Sequence, residues 1–146
     1  MSRTGLNPKD AFGIKKPSIS CVPVPVLMEV AVGMQEGAAK YGRHNYRSIA
    51  VRASIYYDAT FRHLAAWWEG EDTDPDSGLS HVTKAIASLV VLRDAMMQQN
   101  WHDDRPPKSL QWLPQLTEVS QKLFDKYPNP VVPYTEIDFS AEREEK

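Results

Sequence analysis

The sequence predicts an all-α protein of about four helices, flanked by extended, proline-rich arms. Three observations carry this prediction. Apolar residues recur at helical spacing in three long stretches, and Gly and Asp-Pro turn signals separate those stretches. Pro8, Pro17, Pro23 and Pro25 crowd the start of the chain, and Pro128, Pro130 and Pro133 crowd its end. The expected organisation is an extended N-terminal arm over residues 1–25, a helical domain over 26–127 and an extended C-terminal tail over 128–146.

A chain of 146 residues is long enough to bury a core without disulfides or metal staples, and a helical oligomer is equally allowed. A net charge of -2 and a pI near 6.1 argue against a general nucleic-acid binder, which needs a basic face. Cys21 is the single cysteine, so no intramolecular disulfide can form, and no apolar run has membrane length. A cytoplasmic protein with no membrane partner is expected. Cys21 itself, in a Pro-rich segment with no partnering histidine, reads as incidental.

In the N-terminal arm, Ile19, Val22 and Val24 alternate with other residues and suit a strand-like segment. The first long helix is expected from Val26 to Tyr41, with Val26, Leu27, Val30, Met34 and Ala38 apolar and Glu29, Glu36 and Lys40 on a polar side. Gly33 and Gly37 cost about 1 kcal/mol each against alanine inside a helix. They either allow close packing or close ligand approach, or are a tolerated pair of weak positions. The helix ends in KYGRHNYR, where Gly42 suits a C-terminal cap. Lys40, Arg43, His44 and Arg47 gather four potential cations there, and Tyr41, Asn45 and Tyr46 add stacking surface and an amide. That combination suits a nucleotide better than a bare phosphate; a solvated basic turn is the alternative.

Residues 54–84 are the densest mixture of acids, histidines and cations in the chain. In the second helix, Asp58, Arg62 and Glu69 fall within about 40° of one another and form a polar stripe, with Ala65 and Ala66 leaving room on that side. Tyr57, Phe61, Leu64 and Trp68 form an apolar stripe, with Tyr56, His63 and Trp67 beside it, so most of the circumference is expected to be buried. The alternative is a solvated Asp58–Arg62 pair. An acidic turn follows from Glu71 to Gly78. Asp72, Asp74 and Asp76 alternate as calcium-loop ligands do, but Ser77 and Thr83 stand where such a loop needs Gly and Glu. An Asp-Pro turn leading into the next helix is simpler, with Ser77 or Ser80 as the cap.

The third helix is expected from Leu79 to Asn100, long and mostly buried through Val82, Ala85, Ile86, Leu89, Val90 and Met97. Lys84 and Arg93 point to opposite sides of it. WHDDRPP stops it, because Pro106 and Pro107 cannot continue a helix. A shorter fourth helix is expected from Pro114 to Lys126, and the tail ends in the charged AEREEK.

KYGRHNYR, YYDATFRHLAAWWEGEDTDPDSGLSH and the closing DDRP together resemble a phage-borne domain of dATP/dGTP diphosphohydrolases, a relative of the MazG-type all-α nucleoside triphosphate pyrophosphohydrolases. The resemblance runs from about Asn7 to Pro107. It implies an antiparallel bundle that assembles as a homo-oligomer, a dimer or tetramer, and holds a purine nucleotide between helices. It also implies cleavage of a deoxynucleoside triphosphate to monophosphate and pyrophosphate with Mg²⁺ or Mn²⁺, in the host cytoplasm if phage-encoded. On this resemblance Glu36, Asp58 and Glu69 would hold metal, and His63 and His81 would join them in activating water. Lys40, Arg43, His44, Asn45, Tyr46, Arg62 and Lys84 would bind the nucleotide.

The chain departs from the pattern in two places. The ExxE and ExxD pairs of MazG-type helices are missing from the expected helix positions, Glu69 and Asp72 giving ExxD only at a helix end and turn. Lys84 stands where the resembling domain commonly carries a histidine three residues after His81, and a protonated lysine is a poor metal ligand. The competing expectation is a non-catalytic binder that sequesters a nucleotide immune signal of the host, an anti-defence protein.

Overall fold

The structure is a computed structural model and describes Gly5 and residues 7–138. It divides into two compact units, residues 1–105 and residues 106–146. The described residues are mostly helical, as predicted.

In the first unit, α1 spans Pro8–Gly13 and a single 3-10 turn spans Ile19–Cys21. Helix α2 spans Val24–Tyr41, α3 is one turn over Asn45–Ser48, and α4 spans Ala53–Trp68. Helix α5 spans His81–Met97. Two short strands, β1 (Val51–Arg52) and β2 (Trp101–His102), pair in parallel with Val51 opposite Trp101.

The N-terminal arm is therefore not uniformly extended. Asn7 accepts the Lys9 amide at 3.0 Å and Pro8 occupies the first turn, so this proline starts a helix instead of breaking one. Pro25 plays the same part in α2, which begins two residues before the expected Val26. The strand expected over Ile19, Val22 and Val24 is replaced by the 3-10 turn and the first residue of α2.

Helix α5 packs against both α4 and α2. The contact is built from small residues: Ala85, Ala87 and Ala95 of α5 are buried with Val30 and Gly33 of α2 and with Ala53 and Thr60 of α4. A Cβ added to Gly33 would lie 3.4 Å from Ala87 Cβ and 3.7 Å from Leu79 Cδ1, so the missing side chain is what brings α2 onto α5. A Cβ added to Gly37 would meet nothing within 4 Å beyond the helix's own backbone. The two glycines thus have different reasons.

Helix α4 was expected to be buried around most of its circumference. In the structure it is not: Tyr57 is 66% exposed, Phe61 62% and Trp68 78%, because α5 packs on one side of the helix and leaves these side chains uncovered among the described residues. Helix α5 is likewise only partly covered, with Leu89, Val90 and Met97 exposed.

The acidic turn is closed by its own groups. Asp74 accepts the Ser77 amide at 3.2 Å and the Ser77 hydroxyl at 2.6 Å, Gly78 takes a positive φ of 72°, and Thr73 bridges Ser80. Of the two expected caps it is Ser80 that begins α5, accepting the Val82 amide at 3.2 Å. Helix α4 is capped from outside its own sequence. Asp104 accepts the Ser54 amide at 2.9 Å and the Ser54 hydroxyl at 2.5 Å, and the β1–β2 pair delivers it there. A carboxylate at a helix N-terminus satisfies orphan amides and meets the positive end of the dipole.

In the second unit, α6 spans Trp112–Phe124 with its apolar residues exposed. Residues 128–135 carry no regular element, and AEREEK lies outside the described residues. No helix among the described residues is long and apolar enough to cross a membrane.

Candidate functional site

A pocket of about 580 Å³ opens between α2, α3 and α5 in the first unit. Its floor is apolar, with Leu27, Val30, Met34 and Val91, and Gly37 leaves it open on the α2 side.

The KYGRHNYR segment forms one wall because the backbone turns twice. Gly42 adopts φ 91° and caps α2 through its amide to Ala38, and His44 adopts the left-handed region at φ 64°. That path turns Arg43, His44, Asn45 and Tyr46 onto the pocket. Two contacts hold α3 in place. The Arg47 guanidinium donates to both Asp94 carboxylate oxygens at 2.9 and 2.8 Å, and Asn100 donates to the Tyr46 carbonyl at 3.2 Å. Arg47 therefore leaves the expected group of four cations, its fork being spent on fixing α3 to α5.

On the opposite wall Lys84 of α5 meets α2. The Glu36 carboxylate accepts hydrogen bonds from Lys40 Nζ at 2.6 Å and from Lys84 Nζ. Lys40, and then Lys84, hold the Glu36 carboxyl below its usual range, and Glu36 in turn raises Lys40. Glu36 and Lys84 are mostly covered, with side chains 22% and 17% exposed, and Lys40 also lies 3.5 Å from Asp76. Tyr41, Tyr46 and Tyr56 line the same space. Tyr56 is half-buried, and burial, with Tyr41 beside it, pushes its phenol up.

Of the residues assigned by sequence, Glu36, Lys40, Arg43, His44, Asn45, Tyr46 and Lys84 thus converge on one pocket, and Asp58, Arg62, His63, Glu69 and His81 do not line it. Asp58, Arg62 and Glu69 are exposed on and just beyond α4, and their side chains make no hydrogen bond or ion pair among the described residues, so the Asp58–Arg62 pair does not form. His63 and His81 form a second cluster. Their Nδ1 atoms are 2.9 Å apart, and His81 Nε2 lies 2.9 Å from Glu71 Oε1. With Nε2–H donated to Glu71, His81 Nδ1 accepts and His63 Nδ1–H donates. Burial lowers the His63 pKa against the opposing charge of Asp74. Beside this cluster, Thr83 donates to Glu29 at 2.7 Å.

Among the described residues no three His, Cys, Asp or Glu side chains converge to hold an ion. Glu36 is engaged by two ammonium groups, and Asp58 and Glu69 lie away from it outside the pocket. The donor set of one chain therefore does not fit Mg²⁺ or Mn²⁺, which require several oxygen ligands around one point.

Sequence reasoning missed Tyr56 and Ser88 as pocket residues and Glu71 as the partner of His81. Tyr56 was legible only as an apolar neighbour of the Tyr57 stripe, and Glu71 only as one acid of a turn.

No curated protein and no solved structure matches the chain. The model of the family described as "dATP/dGTP diphosphohydrolase, N-terminal" matches residues 6–105, which spans every element from α1 to β2, and the chain belongs to that family.

Proposed function

We propose that the α2–α5 pocket binds a purine nucleotide, with Lys40, Lys84, Arg43 and His44 facing its phosphates and the tyrosines facing its base. The observation that carries this reading is the convergence of residues 40–46 with Lys84 on one pocket of nucleotide size. Family membership favours a second reading in the same pocket: hydrolysis of a purine deoxynucleoside triphosphate to monophosphate and pyrophosphate, with Mg²⁺ or Mn²⁺. Sequestration of a nucleotide signal without turnover is the alternative that the cations favour.

A thermal-shift panel of purine and pyrimidine nucleotides, with Mg²⁺ or EDTA, followed by chromatography of the recovered nucleotide, tests all three. Stabilisation by purine nucleotides is the expected result, and no shift with any nucleotide would sink the binding reading. Monophosphate and pyrophosphate among the products would establish hydrolysis, and intact nucleotide in the presence of Mg²⁺ would leave sequestration.

The chain also acts as a homo-oligomer in this reading, since Tyr57, Phe61, Leu64 and Trp68 form an apolar face that a second copy would cover. Sedimentation at micromolar concentration should give a dimer or tetramer; a monomer would refute the assembly.

A further inference from the structure

We propose that Lys40 and Lys84 anchor a phosphate chain without a divalent cation, and that Glu36 is the internal counter-ion which the incoming phosphate displaces. The inference rests on the same pocket as the reading above. It reverses the role that the resemblance implied for Glu36.

Glu36 accepts from both ammonium groups, and these are the contacts that phosphate oxygens would make. Each lysine carries three N–H donors and no acceptor, so the pair presents a concentrated positive field with one carboxylate in it. Lys84 is 17% exposed, which means that its charge is already partly desolvated before any ligand arrives. A triphosphate brings several negative charges where Glu36 brings one, and Arg43 and His44 line the same pocket without being tied to Glu36. A divalent cation approaching Glu36 would instead meet two like charges at hydrogen-bond distance from its ligand. Asp76, 3.5 Å from Lys40 and 82% exposed, competes in the same way as Glu36 but more weakly.

The two roles of Glu36 predict opposite signs. A metal ligand supports phosphate binding, whereas a counter-ion opposes it. Binding of inorganic tripolyphosphate to the full chain, followed by titration calorimetry in EDTA, separates them. Wild type should bind in EDTA with an affinity that falls as salt rises. Glu36→Gln should tighten binding by about tenfold, and Lys84→Gln should weaken it by at least as much. Asp76→Asn, on an exposed side chain that cannot threaten the fold, should tighten it by about twofold and decides the matter if Glu36→Gln does not fold. Loss of binding in EDTA, or weaker binding by Glu36→Gln or Asp76→Asn, would overturn the inference. Tripolyphosphate binding without any purine nucleotide binding would keep this inference and sink the nucleotide reading. Nucleotide binding seen only with Mg²⁺ would do the reverse.

Discussion

Gly33→Leu is expected to destabilise the first unit by about 1–3 kcal/mol, and Gly37→Leu to leave its stability unchanged or slightly raised while removing nucleotide binding. The two positions are one helical turn apart on α2, so local propensity treats them alike. Their surroundings do not. A Cβ at Gly33 already meets Ala87 Cβ at 3.4 Å, and the rest of a leucine side chain would have to push α2 away from α5. At Gly37 there is open space, and that space is the pocket. Denaturant unfolding of both variants, with calorimetric binding beside it, checks the pair. Equal destabilisation would mean that both glycines serve packing, and a Gly37→Leu variant that binds like wild type would move the site elsewhere.

Arg43→Ala is expected to weaken nucleotide binding by about 10- to 100-fold, or about 1.5–3 kcal/mol, with no loss of thermal stability. Arg43 lines the pocket and has no hydrogen bond or ion pair among the described residues, so its removal orphans nothing. Arg47, four residues on, is the built-in contrast. Arg47→Ala breaks the two-pronged contact with Asp94 and should lower the Tm, because its guanidinium holds α3 on α5. Calorimetry and thermal melts of the two variants separate them; an Arg43→Ala protein with wild-type affinity would take this arginine out of the site.

The two arginines mark the limit of what spacing alone can assign. KYGRHNYR reads as one group of four cations, and nothing in its composition distinguishes Arg43 from Arg47. The difference comes from Asp94, which lies 47 residues away. The burial expected around α4 failed for a related reason. An apolar stripe states that a surface seeks cover, but it does not state whether the cover comes from the same chain.

By itself the sequence determined the three long helices α2, α4 and α5, together with the Gly42 cap and the turn before α5. These depend on periodicity, capping and turn chemistry within a few residues, and such terms act locally. Only the tertiary structure decided which side chains meet: Glu36 with Lys84 across 48 residues, Ser54 with Asp104 across 50, and His63 with His81 and Glu71. It alone also revealed β1 and β2, whose two residues each are too few to carry a period. Contacts of that kind follow from how closely the helices approach, and that approach is set by Gly33 and the alanines of α5 packing together, which no single stretch of sequence contains.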